Sequence, residues 1–122
     1  GQRLEDVRDQ RLEPATKRAL DASGAEWRPS PVRGEITGAP LTREETEVFQ
    51  TVVNEIMNPL LTEVANDPAF RSADRLTQDK ILQTLNEKIT GSVRKQIAGM
   101  IGEKELARRR ADDRARELAG VR

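Results

Sequence analysis

The chain has 122 residues, enough for one domain and too few for two independent cores. Its 21 basic and 21 acidic residues cancel, which argues against both a self-repelling disordered chain and a strongly basic nucleic-acid binder. Cys, His and Tyr are absent, which rules out disulfides, thiolate chemistry, Ser-His and Cys-His nucleophile arrangements, and the commonest metal ligand.

Leu, Ile, Val and Phe together number 27 of 122, just above the level where disorder becomes the default, and they cluster in the middle of the chain. Trp27, Phe49 and Phe70 are its three aromatic residues. Large aromatic side chains dominate core and interface energetics, so stability is expected to lean on association with partners. The chain opens on Gly1 rather than Met, and a fragment or processed product is expected. No apolar run approaches the ~20 residues of a membrane span, and no signal-peptide pattern opens the sequence.

Taken in order, residues 1–24 read as a charged helical segment. Glu13 to Ala22 can form a short helix with Pro14 in its first turn and Gly24 as terminator. The stretch from Arg3 to Arg11 alternates in charge and either extends that helix or stays loose. Residues 25–41 carry Pro29, Pro31, Pro40, Gly34 and Gly38, a composition that predicts an extended or polyproline-like strap. Trp27, Val32 and Ile36 are its large apolar anchors.

Residues 42–101 carry the hydrophobic periodicity of a helical hairpin. Thr42 and Glu45 make a capping box, with Glu44, Glu45 and Glu47 complementing the positive helix start. The apolar positions Val48, Val52, Val53, Ile56, Leu60, Leu61 and Val64 follow. Asn58-Pro59 reads as a kink or a fresh helix start, and Asn66-Asp67-Pro68 as a stop, with Asp67 capping a turn through Phe70. The second arm is expected to begin near Thr77, whose hydroxyl can cap Gln78-Asp79-Lys80. Its stripe of Leu82, Leu85, Ile89, Val93, Ile97 and Met100 stays within about 60° of one line at 100° per residue, and Ile81 and Ile101 widen it. Gly91 and Gly99 are either tolerated weak spots costing roughly 1 kcal/mol each or points of close backbone approach.

Residues 102–122 are charged, with a net charge of two and only Leu106, Leu118 and Val121 as large apolar groups. Glu105–Arg109 and Asp112–Arg116 fall at i,i+4, and the segment is expected to continue the preceding helix into solvent. The fold class is therefore all-α: a short N-terminal helix, an extended Pro-rich strap, then a helical hairpin with a long polar C-terminal helix.

No catalytic, cofactor or metal site is expected. Glu44, Glu45 and Glu47 are explained by the helix start, and Asp112 and Asp113 by neighbouring arginines, rather than by a glycosidase pair. Asn66-Asp67 and Asp112-Asp113 lack the spaced loop that calcium requires, and no glycine-rich phosphate loop is present. Arg94, Lys95, Arg108, Arg109, Arg110, Arg114 and Arg116 raise a nucleic-acid reading. Interleaved acids and the lack of a stacking aromatic weigh against it. Membrane-surface helices would need a basic polar face and an aromatic in the stripe. Packing is the default for both stripes, and the partner-facing set is Trp27, Val32, Ile36, Val48, Val52, Ile56, Leu60, Leu85, Ile89, Val93 and Ile97.

The charged helix ending at Gly24, the Pro-rich strap, the run Gly38-Ala39-Pro40-Leu41-Thr42-Arg43-Glu44-Glu45, and the later helix with Gln78, Lys80, Ile89, Arg94 and Ile97 together carry a resemblance. Over roughly Pro14 to Ile101 the chain resembles the C-terminal segment of large phage virion proteins, the tail tape-measure and internal ejection proteins. That resemblance implies a structural role in a tail or ejection apparatus, with other virion proteins or further copies of the chain as partners in a homo-oligomer or larger assembly. It also implies a location in the virion, and in the host envelope or cytoplasm after ejection. A bacterial helical adaptor or scaffold segment is the competing expectation, and an Arg-rich nucleic-acid-binding helix a third.

Overall fold

The computed structural model describes residues 12–27 and 34–120. Val32 and the stretch from Arg3 to Arg11 lie outside the described residues. The fold is all-α apart from one miniature hairpin.

Helix α1 (Pro14–Ser23) starts on Pro14, whose missing N–H costs nothing in a first turn, and ends where Gly24 turns left-handed at φ 77°. Strands β1 (Glu35–Ile36) and β2 (Ala39–Pro40) pair antiparallel, with Ile36 opposite Ala39. The expected strap therefore doubles back over its last residues instead of staying extended. The cause is the Thr37-Gly38 turn, where both residues hold positive φ, 48° and 80°, the backbone twist that a two-residue hairpin loop needs. Thr37 is β-branched and strained in that region; its Oγ1 donates to the Ile36 carbonyl at 2.8 Å.

Helix α2 (Arg43–Asn66) begins with the expected capping box. Thr42 Oγ1 accepts from the Glu45 amide at 3.1 Å, and Glu45 Oε1 accepts from the Thr42 amide at 2.8 Å. Pro59 lies inside this helix without ending it, its ring exposed to solvent. Asn58 does not start a new helix. Its Oδ1 accepts from the Glu13 amide at 2.9 Å, satisfying a donor at the entry to α1. Its carbonyl takes the Thr62 hydroxyl at 2.9 Å and the Thr16 hydroxyl at 3.3 Å. Buried polar groups thus lock α1 across α2, and none of the buried side-chain polar atoms among the described residues lacks a partner.

Helix α3 (Pro68–Ser72) is the short turn expected after Asp67, whose side chain accepts from the Ala69 amide at 3.0 Å. Helix α4 (Arg75–Ile101) starts three residues earlier than the sequence reading placed it. Asp74 is the cap, accepting from the Thr77 amide at 2.8 Å, because a carboxylate at that position reaches the free donor that a cap at Thr77 would leave unmet. Gln78 is buried and ties three elements together, donating to the carbonyls of Ser23 and Phe70 at 3.2 and 2.9 Å. Gly91 and Gly99 have open space where a Cβ would stand, so no backbone packs closely on either.

The charged end does not run on from α4 into solvent. Gly102 breaks the helix at φ 93°, ψ 142°, a conformation that only glycine adopts readily, and α5 (Glu103–Gly120) then packs back against β2. Leu106 is fully buried there. One core results, built from Ala19, Leu20, Ile36, Phe49, Val53, Met57, Leu61, Ala65, Phe70, Leu82, Val93 and Ile97.

Candidate partner interface

The buried line of α2 runs Phe49, Val53, Met57, Leu61, Ala65, one residue out of phase with the Val48–Val52–Ile56–Leu60 line expected from periodicity. Both lines are apolar, and the aromatic side chain settles the phase: Phe49 is fully buried and Arg94 lies over its ring, 5.9 Å from the centroid. The displaced line is left toward solvent. Val48 is 53% exposed and Ile56 36%, with Val52 and Leu60 half-buried between and beside them.

At the N-terminal end of that line a groove of about 460 Å³ opens between α2, the end of α4 and the start of α5, lined by Glu44, Glu45, Val48, Ile97, Met100, Ile101, Glu105 and Arg109. Met100 is 81% exposed on its rim. A protruding unbranched apolar side chain of this kind is adaptable at binding surfaces.

One wall of the groove is an ionic clasp. Arg109 donates to both carboxylate oxygens of Glu45, at 2.7 and 3.1 Å, to Glu105 Oε1 at 3.3 Å, and to the Pro40 carbonyl at 3.3 Å. Glu45 thus caps α2 and receives α5 at once. The Arg109 hydrogen bond holds its carboxyl below the ordinary value of 4.5, helped by the Thr42 amide and opposed by partial burial. The Arg108 guanidinium, seconded by Arg109, draws Glu105 down to about 2. Arg108 also donates to Asp112 at 2.7 Å, and Arg110 reaches Glu103 and, at 3.0 Å, the Thr37 hydroxyl. The Arg108–Arg110 run is therefore occupied by carboxylates rather than offered to phosphates. Of the two expected local pairs, Glu105–Arg109 forms, while Asp112 takes Arg108.

No family model matches the chain, and neither a curated protein nor a solved structure matches it.

The eleven residues expected to face a partner fall into four groups. Ile36, Val93 and Ile97 are buried within the chain's own core. Trp27, Val52, Leu85 and Ile89 are half-buried and pack against it, and Leu60 is half-buried. Val48 and Ile56 are exposed. Val32 lies outside the described residues. Sequence reasoning placed Met100 on the α4 stripe, and its 81% exposure leaves it outside the core. The Glu45–Arg109 pair was missed because its members lie 64 residues apart.

Trp27 flanks a second, polar cleft with Glu26, Arg75, Asp79, Leu82, Gln83 and Asn86. Glu26 and Arg75 pair across it at 2.8 Å. Among the described residues no group of acidic side chains is placed to hold a metal ion, and no helix is long and apolar enough to cross a membrane.

Proposed function

We propose that this chain is a structural, non-catalytic packing module whose Val48–Met100 groove receives a helix of a partner chain during assembly. The observation that carries this reading is the exposure of Val48 and Met100 along one groove. Apolar side chains gathered along one groove supply area that a partner helix can bury. The groove's shape suits an amphipathic helix presenting apolar residues every three or four positions. The lack of His, Cys and Tyr leaves no ordinary nucleophile–base pair in the sequence.

The virion setting rests on the sequence resemblance. In that setting the chain is a segment of a tape-measure or internal ejection protein, held among other virion subunits and leaving with the genome. Placing a photo-crosslinking amino acid at Met100, in the protein expressed during infection, tests both levels. Crosslinks to structural subunits recovered from purified particles support the virion reading. Crosslinks to a host protein would favour the adaptor or scaffold alternative. A chain that yields no protein crosslink from this position contradicts the groove's role.

A further inference from the structure

The groove has an acidic rim and α5 carries a matching exposed feature on its C-terminal half. Glu44 stands one turn before Val48 on α2, so the pair presents a carboxylate and an apolar side chain on one line. Arg114 stands one turn before Leu118 on α5, presenting a guanidinium and an apolar side chain in the same spacing. Leu118 is 69% exposed. Neither Glu44 nor Arg114 has a charged partner among the described residues, whereas Glu45, Glu105, Arg108, Arg109 and Arg110 all do.

The Leu118 face also points the right way. At 100° per residue, Leu118 lies about 120° and Arg114 about 80° around α5 from Leu106, the residue that docks the helix on its own hairpin, and both stand on one exposed outer side. Ala107, Ala111 and Ala115 share that outer side and are exposed, so no bulky side chain holds a neighbouring surface away from Leu118. Leu106 and Arg109 fix the first half of α5, and residues 114–120 are all exposed.

We propose that the groove is filled by the outer end of α5 from a second copy of this chain, Leu118 seating against Val48 and Met100 with Arg114 beside Glu44. This rests on the reading of the groove as a docking surface and names its occupant. Groove and ridge are different surfaces of one chain, so the contact is head-to-tail and can propagate from copy to copy as a ring or filament. The apolar contact supplies most of the affinity, and the exposed ion pair sets the register.

Because the sequence has no cysteine, engineered thiols report on this contact alone. Purified Val48→Cys and Leu118→Cys chains, mixed under mild oxidation, form a disulfide-linked dimer. The linkage is roughly tenfold or more faster than for Leu118→Cys mixed with Leu76→Cys, a more exposed control on α4, because docking raises the effective thiol concentration. The double variant Val48→Cys/Leu118→Cys gives a ladder of higher oligomers. Glu44→Arg or Arg114→Glu alone slows linkage by about two- to fivefold, and combining them restores it. Linkage no faster than the Leu76→Cys control, or a charge exchange that fails to restore it, overturns the proposal. Failure here together with Met100 crosslinks to a different subunit in particles would remove the second copy as occupant and leave the docking groove intact. Failure of both experiments would remove the groove reading itself.

Discussion

Two helices are attached to the body of this protein by opposite means. Helix α1 is held to α2 by the burial of Ala19 and Leu20 and by hydrogen bonds in which buried Thr16 and Asn58 meet the Glu13 amide and the half-buried Thr62. Helix α5 is held by one buried leucine, Leu106, and by the guanidinium groups of Arg109 and Arg110 on Glu45, Pro40 and Thr37. The first attachment is dry and shape-determined. The second is largely electrostatic, borders the groove and sits beyond a glycine break. The difference teaches that the chain's interior is organised around α1, α2 and α4, while α5 is added at its edge in a form that pH and salt can loosen.

Truncating the buried leucine of each attachment is the strongest way to probe that contrast. Leu20→Ala and Leu106→Ala remove the same atoms from equally closed sites, with an expected cost of about 2–5 kcal/mol. For Leu20→Ala the loss falls on the whole domain and appears as a lower midpoint of denaturant unfolding. For Leu106→Ala it falls mainly on α5, which frees locally while the rest stays folded. Hydrogen exchange would show fast exchange confined to residues 103–120. Equal global destabilisation by both would erase the distinction.

Asn58→Ala sharpens the α1 side. It strips the acceptor from the Glu13 amide, and a loss of about 1–3 kcal/mol is expected by chemical denaturation. Thr37→Asn sharpens the α5 side in the opposite direction. Asparagine tolerates positive φ better than threonine in this turn, so a gain of up to about 1 kcal/mol is expected, offset in part by the lost Arg110 contact.

The smallest effect is the pH response. Glu45 and Glu105 titrate below their ordinary value of 4.5 when folded, Glu105 down to about 2. Depressed carboxyls stabilise the clasp fully above about 4.5, and that contribution is lost as pH falls toward about 2. A methyl NMR signal from Leu106 should hold from pH 7 to 5 and move progressively below 4.5, with high salt mimicking part of the shift. A signal unchanged down to pH 2.5 would mean the arginines contribute nothing to docking.

Local chemistry was readable from the sequence wherever partners sit within a few residues. The Thr42–Glu45 capping box, the Gly24 terminator and the Asp67 cap each depend on neighbours in the chain, and each forms as expected. What could not be read was phase and distance. Val48 and Phe49 start two apolar lines of similar strength on α2, and tertiary packing decides which is buried. Asp74 and Thr77 are both good caps three residues apart, and the earlier one takes the helix start. Gly102 sits between two strongly helical segments, so nothing local showed whether the chain would bend or continue there. The groove follows from these choices, since it needs Val48 left out of the core and α5 folded back.

The account stands on the groove being covered in the assembled state. Amide hydrogen exchange of this chain, free and within the assembly it is recovered from, measures that directly. Slowed exchange is predicted over residues 44–56 and 97–105 on assembly, joined by 114–118 where the occupant is a second copy, with the α1–α2 contact already protected in both states. Unchanged exchange around Val48 and Met100, or new protection centred on the Trp27 cleft instead, would contradict it.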